Sequence, residues 1–311
     1  MTERLRVVIG IPTFRRPDKL GELLAALPER IAECAGDVDV RVVVVDNDPD
    51  ASAREAAATA RVAAEYAVEA APGIAAVRNR LLDESGGADV LCFLDDDEVP
   101  LPGWLPALIA TWRETGAAAV MGRVISVFED DVDPWLIATG VFRRRERPTG
   151  LVLATLAAGN LLLDLRQISA LGVRFDPSIG LAGGEDTLFG KTLIAAGGRI
   201  VWCNESRAED YVPRERLTRS WAMRRAFNGG NSATDIDLRL EPRRSHRALV
   251  RVRRLFGGTA RALAGWVQHI WGRMSGDLHR DARGLRTAYR GAGMASAAIG
   301  FRRHEYERSG T

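Results

Sequence analysis

Cysteine is scarce. Cys34, Cys92 and Cys203 are the only three in 311 residues, and their odd number and wide spacing support neither a disulfide framework nor a zinc site. They read as small buried residues in a reducing compartment. Long apolar runs are missing too: no window reaches the roughly 18 residues that a membrane-spanning helix needs. Met1-Thr2-Glu3-Arg4 leads straight into a strand pattern without the apolar core and cleavage site of a secretory signal, so a cytoplasmic location is expected. Neither G-x-G-x-x-G nor G-x-x-x-x-G-K-[ST] follows that strand, which removes the main support for dinucleotide and P-loop readings. Repeats and low-complexity linkers are also absent. What is left is an ordinary globular composition, 46% hydrophobic and 27% charged, enough for one large α/β domain or one with a smaller appendage.

The net charge of +2 conceals a division. Residues 1–213 carry 22 Lys and Arg against 33 Asp and Glu, and residues 214–311 carry 21 against 8. A basic tail of this kind suits an anionic partner. Over 243–306 its arginines alternate with Leu249, Val252, Leu255, Phe256, Leu263, Trp266, Val267, Ile270 and Trp271. Basic, amphipathic, Trp-bearing helices suit a membrane interface, so peripheral contact with the inner face of a membrane is one expectation. A basic helix pair packed on the rest of the chain or on a partner is the other. The tail carries no recognisable reading motif, and no nucleic-acid partner is expected. The division expected is a domain over 1–235 and a basic helical extension over 236–311.

Along the chain, strand and helix patterns alternate. Strands read over 6–11, 40–45 and 66–69, with an amphipathic helix carrying Leu20, Leu23, Leu24, Leu27 and Ile31, an Ala-rich helix over 51–64, and a helix holding Arg78 and Asn79. Further strands read over 90–94, 117–126, 159–163 and 199–202, and helices over 105–112, 166–171 and 187–196. The segment 129–147 reads as irregular, and the Gly-rich 178–184 as a mobile loop. This alternation predicts a Rossmann-like, mostly parallel sheet with helices on both faces.

Residues 90–100 organise the whole. Val90, Leu91, Phe93 and Leu94 form a short apolar run, the pattern of a strand buried on both faces, and Asp95-Asp96-Asp97-Glu98 follows directly. The carboxyl ends of such strands are where open α/β sheets place their ligands. Four adjacent carboxylates need a counter-charge, and a hard dication, Mg²⁺ or Mn²⁺, is the simplest one. A solvated acidic turn is the plain alternative. Glu185-Asp186 stands at a helix start, where the dipole also favours acidic residues for structural reasons.

In order, Ile11-Pro12-Thr13-Phe14-Arg15-Arg16, Val45-Asp46-Asn47-Asp48, Gly73 with Arg78-Asn79, Leu94-Asp95-Asp96-Asp97-Glu98, Gly159-Asn160 and Gly184-Glu185-Asp186 resemble the family 2 glycosyltransferases over residues 5–230. More loosely, Gly300-Phe301-Arg302-Arg303-His304-Glu305-Tyr306 resembles the C-terminal extension of a bacterial branch that acts in exopolysaccharide or other surface-glycan assembly. The resemblance implies a GT-A fold and an inverting transfer from a nucleoside diphosphate sugar, UDP-linked, to a glycan or polyprenyl-linked acceptor. It implies that Pro12, Thr13, Arg15, Asp46, Asn47, Arg78, Asp95 and Asp96 hold the donor, joined by Arg219 and Trp221. Asp97, with Asp95, is the implied metal pair. Asp186 is the implied catalytic base, with Glu185 beside it and Asn160 on the acceptor side. Many relatives add a His to the metal shell; here His246, His269, His279 and His304 all lie in the tail, leaving Glu209 or Asp210 as replacements. The competing readings are a non-catalytic nucleotide-sugar scaffold and a sugar-1-phosphate nucleotidyltransferase, whose Gly-rich basic first loop does not match Pro12-Thr13-Phe14.

Overall fold

The computed structural model describes residues 4–34, 36, 38–128, 131–144, 146–179 and 183–302. By contacts the chain divides into two compact units, one of Met1–Val127, Arg144–Gly180 and Glu185–Tyr211, the other of Phe128–Arg143, Leu181–Gly184 and Val212–Thr311.

The first unit holds one eight-stranded sheet. Its strands are β1 (Leu5–Thr13), β2 (Val38–Asp46), β3 (Ala64–Val68), β4 (Val90–Phe93), β5 (Glu98–Pro100), β6 (Ala119–Val127), β7 (Leu161–Asp164) and β8 (Ile200–Tyr211), in the spatial order β3-β2-β1-β4-β7-β6-β8-β5. The β3-β2-β1-β4 side and the β6–β8 pair are parallel, while β7 runs antiparallel to both neighbours and β5 antiparallel to β8. Helices α1 (Pro17–Ala32), α2 (Arg54–Ala58), α3 (Ile74–Glu84) and α4 (Trp104–Thr115) fall between these strands, followed in this unit by α6 (Leu165–Leu171) and α7 (Glu185–Ala195).

Side-chain alternation sorts the strands into two cores. Val7, Ile9, Ile11, Val42 and Val44 pack with Leu20, Leu23, Leu24 and Leu27 of α1 and with Trp104, Leu105 and Leu108 of α4. Val8, Val43 and Val45 point the other way, toward Val77 and Leu81 of α3 and toward Phe175 and Phe189. With both faces covered, the central strands are apolar at nearly every position, which is why the sequence shows them as unbroken runs.

Four elements depart from the sequence reading. The Ala-rich helix shortens to Arg54–Ala58, because β3 begins at Ala64 and pairs with Val42 of β2; pairing overrides alanine's helix propensity. The strand read at 199–202 continues to Tyr211 through polar residues, past a register shift opposite Gly122 and Arg123. That extension provides the partner for β5, too short for a pattern to reveal. Within 129–147, read as irregular, Pro134–Thr139 forms helix α5, capped by the Asp133 carboxylate, which accepts from Trp135 N–H at 2.9 Å.

The second unit comprises α5, α8 (Arg219–Leu240), α9 (Arg244–Ser275) and α10 (Leu278–Ala298). The 235/236 division read from sequence falls inside α8. Helices α9 and α10 form a hairpin turned at Gly276, whose left-handed backbone (φ 70°) ends α9, and at Asp277, which caps α10. Residues 303–306, part of the tail pattern, and 180–182, part of the Gly-rich loop, lie outside the described residues.

Candidate active site

The site is built at the carboxyl ends of β1, β2 and β4. Thr13, the last residue of β1, donates from Oγ1 to Asp96 Oδ2 at 2.8 Å. Arg16 Nη1 bridges the next two carboxylates, at 3.2 Å from Asp96 Oδ1 and 2.9 Å from Asp97 Oδ2. Burial pushes the Asp96 carboxyl up to about 6, with Arg16 opposing and the Asp97 charge adding to the rise. Arg16 belongs to the first motif, yet nothing in the pattern singles it out: its role comes from the turn after β1. Arg15 beside it adopts a left-handed backbone (φ 53°), uncommon outside glycine and concentrated at functional sites. Its guanidinium pairs with Asp48 at 3.2 Å. Burial pushes Asp48 up, but the hydrogen bonds from Arg15 and Ser52 and from the Asp50 N–H win, and the carboxyl sits below its ordinary range.

Asp46 and Asn47 stand at the end of β2 as the sequence places them, but their side chains face inward. Asp46 is 0% exposed; Oδ1 accepts from Asp48 N–H at 2.8 Å, and Oδ2 from Ala53 N–H at 2.9 Å and Tyr66 OH at 2.7 Å. Asn47 donates to the carbonyls of Glu69 (2.7 Å) and Ala71 (2.8 Å) and accepts from Gly73 N–H at 3.0 Å. In this conformation the pair shapes the wall that leads to α3 rather than offering open atoms to a base or ribose. Pro12 is likewise buried.

One guanidinium joins the acidic strand end to the Glu185-Asp186 helix. Arg78, on α3 and 5% exposed, reaches Glu185 Oε1 with Nη1 at 2.5 Å and Asp95 Oδ1 with Nη2 at 3.2 Å. It lies over the Phe175 ring, 5.7 Å from the centroid, and that ring stacks on Phe189 at 4.2 Å. The sequence reading gave Arg78 to the nucleotide; the fold makes it the tie between residues 17 and 107 positions away. Asp186, one residue into α7, keeps part of its surface open and accepts from Thr187 N–H at 2.5 Å. Burial and then the Glu185 charge push its carboxyl up to about 6, while Arg78 and the Thr187 N–H pull against them. A carboxylate poised there is ionised at neutral pH and still basic enough to take a proton. Burial raises Asp95 as well, against the pull of Arg78.

Asn160, read as an acceptor contact, is 1% exposed. Its Oδ1 accepts from Trp104 Nε1 at 2.8 Å and its Nδ2 donates to the Ser206 carbonyl at 3.1 Å. It is a buried plug that cross-links β7, α4 and β8, and a polar residue after Gly looks the same in sequence in either role. Gly159 makes room for Glu98: a Cβ there would stand 2.3 Å from Glu98 Oε1. Glu98 is 5% exposed, and its Oε2 has no hydrogen-bond partner among the described residues. Burial, with the charges of Asp95, Asp97 and Asp210, raises its pKa well above the usual range and favours the neutral acid. Gly159→Ala is therefore expected to lower the urea-unfolding free energy by about 1–3 kcal/mol. Adding Glu98→Ala should relieve part of that loss, and strictly additive effects in the cycle would refute the contact.

Arg219 and Trp221 belong to the second unit and are engaged within it. Arg219 pairs with Asp133 at 2.7 Å and lies over the Trp135 ring, and Trp221 stacks on Phe142 with centroids 5.5 Å apart.

Among the described residues no three His, Cys, Asp or Glu side chains converge as a ready metal shell. Asp210, one proposed replacement for the missing His, pairs with Arg144 at 3.1 Å. Glu209 accepts from Tyr211 OH at 3.1 Å. The donor chemistry at Asp95 and Asp97 still fits a hard dication that takes one or two protein carboxylates and completes its shell with substrate phosphates and water.

Comparison with known proteins bears on the family and the fold. The profile described as Glycosyl transferase family 2 matches residues 8–164. The chain is 35% identical over 245 residues to the succinoglycan biosynthesis protein ExoM of Rhizobium meliloti (strain 1021), covering 74% of each chain. Among solved structures it is similar in fold to residues 1–349 of TarS from S. aureus (TM-score 0.51, 14% identity, 92% of this chain and 91% of that one). It is also similar to GalNAc-T7, crystallised with UDP, GalNAc and Mn²⁺ (TM-score 0.53, 15% identity, 74% of this chain and 48% of that one). The sheet and its flanking helices are the GT-A glycosyltransferase fold. With a matching profile over half its length and a relative at 35% identity covered to 74%, the chain belongs to glycosyl transferase family 2.

Proposed function

We propose that the chain transfers a sugar, with inversion, from a nucleoside diphosphate sugar, UDP-linked, to a hydroxyl of a glycan or lipid-linked acceptor in surface-polysaccharide synthesis. The observation that carries this reading is the Arg78 tie, which joins Glu185, the neighbour of Asp186 at the start of α7, to Asp95 of the acidic motif at the end of β4. The relative named for succinoglycan biosynthesis supports the pathway class, and the UDP and Mn²⁺ of GalNAc-T7 support the donor and the metal.

In a single displacement Asp186 takes the proton of the acceptor hydroxyl as that oxygen bonds to the anomeric carbon. The bond from that carbon to the diphosphate oxygen breaks, and the diphosphate leaves with the electron pair. Attack opposite the leaving group inverts the configuration. Glu185, held by Arg78, keeps a second negative charge beside the base and so preserves its basicity. Asp97 and Asp95 would hold Mg²⁺ or Mn²⁺, which when bound supplies Lewis-acid stabilisation of the departing diphosphate. Thr13, Arg15 and Arg16 line the donor side.

Calorimetric titration of UDP, GDP, dTDP and CDP, each with and without Mn²⁺, tests the donor reading. UDP is expected to bind in a Mn²⁺-dependent way, and at least about tenfold more weakly to Asp97→Ala. Absence of binding by all four at millimolar concentration would overturn the reading in favour of a non-catalytic scaffold.

A further inference from the structure

Among the described residues, helix α9 is held chiefly along its α10 side. Gly258, Gly265 and Gly272, spaced by seven, face α10 so closely that an added Cβ would stand 2.7, 2.4 and 2.2 Å from its backbone nitrogens. Gly284 and Gly291 return the fit from α10, within 2.4 and 2.5 Å of α9 nitrogens. This seam fixes the rotation of α9 about its axis. At 3.6 residues per turn, the opposite side carries Leu249, Phe256, Leu263, Val267, Ile270 and Met274. All are exposed, from 53% at Ile270 to 83% at Met274. Trp266 and Trp271, 46% and 62% exposed, border the stripe on either side. From Leu249 to Met274 it runs about 38 Å at 1.5 Å per residue.

An apolar face of that length is an interaction surface. Its charge pattern says of which kind. Helix α9 contains seven arginines and no acidic residue. Arg254 is matched within the unit by Asp237, and Arg251 donates to the Ala298 carbonyl at 3.2 Å, but Arg244, Arg253 and Arg273 are exposed. Two copies joined through this face would align two carboxylate-free, Arg-rich helices, a like-charge arrangement with no compensation on α9 itself. An anionic lipid surface supplies the missing charge and a place for the apolar stripe, with the two indoles at headgroup depth. No described helix is long and apolar enough to cross a membrane, so the helix would lie in the surface plane.

We propose that the face of α9 opposite its glycine seam seats in the interface of an anionic phospholipid membrane. The proposal is independent of the donor, the metal and the transfer chemistry.

The test uses the full chain and vesicles of phosphatidylglycerol with phosphatidylcholine, against phosphatidylcholine alone. The wild type is expected to co-sediment with the anionic vesicles, with a blue shift of Trp emission that Trp271→Phe reduces. Phe256→Gln/Val267→Gln should weaken that binding at least about tenfold, at unchanged far-ultraviolet dichroism, because both side chains are exposed in the free protein. Arg253→Gln/Arg273→Gln should weaken it and flatten its salt dependence. Equal sedimentation of the apolar double variant and the wild type would overturn the proposal. So would failure of the wild type to bind anionic vesicles, or a dimer that this variant converts to monomer without any vesicle binding. Should the double variant lose helicity, the emission shift of the wild type against Trp271→Phe decides alone: an unchanged shift counts against α9.

Discussion

Asp186→Asn is expected to lower kcat for sugar transfer by about 10³-fold while leaving nucleotide affinity within about twofold of the wild type. The amide keeps the size of the side chain and can still accept from Thr187 N–H, as the carboxylate does at 2.5 Å. What it loses is a group able to take up the proton of the acceptor hydroxyl. The pH profile gives a second readout. With its carboxyl pushed up to about 6, Asp186 is ionised and competent above that value and protonated below it, so kcat/KM should rise through pH 6 and level off toward neutrality. In Asp186→Asn this acid limb should vanish from the residual rate. A substitution that weakened nucleotide binding and transfer equally would instead make Asp186 a donor-site residue and remove the base from the mechanism.

The second large effect is expected at Arg78. Arg78→Ala strands Glu185, 6% exposed, without its 2.5 Å partner and leaves Asp95 with one cation fewer. Removing one member of a buried ion pair costs about 3–5 kcal/mol, because the remaining charge keeps its desolvation penalty. Urea unfolding should show a loss of that order. Arg78→Met with Glu185→Gln should lose less than Arg78→Ala, since the stranded charge goes with its partner. Activity changes in a specific direction as well. Arg78 opposes the rise of the Asp186 pKa, so its removal should move the acid limb of the pH profile upward, toward neutral pH. A stability loss with an unmoved acid limb would confine Arg78 to a structural role.

Glu185 and Asp186 occupy the same helix start, and the sequence treats them alike as first-turn acids. Their environments separate them. Glu185 is buried and engaged by a guanidinium, whereas Asp186 keeps open surface and a raised pKa. One is thereby suited to hold the site and the other to react. The same sorting runs through the acidic stretch: Asp96 turns inward to Thr13, Asp97 outward to Arg16, and Glu98 into the space left by Gly159.

The sequence by itself determined the sheet core, the acidic turn after β4 and the carboxylate pair opening α7. Runs such as Val42–Val45 have the length and β-branched composition of a strand covered on both faces, and polar residues directly after such a run sit at its carboxyl end. The amphipathic character of α9 was legible for the same reason: periodicity is local. Only the tertiary structure decided which polar residues are engaged inside the protein and which keep open surface. Asp46, Asn47 and Asn160 carry the residue types of a binding site, yet their hydrogen bonds are taken up by Tyr66, Gly73 and Trp104, partners that the fold brings close from other elements. Arg78 meets Glu185 across 107 residues. Such pairings depend on where strands and helices come to rest in space, and a short motif carries no record of that distance. The direction of the apolar face of α9 was settled likewise by its glycine seam with α10, because a helix has a defined outside only once a neighbour has taken one of its sides.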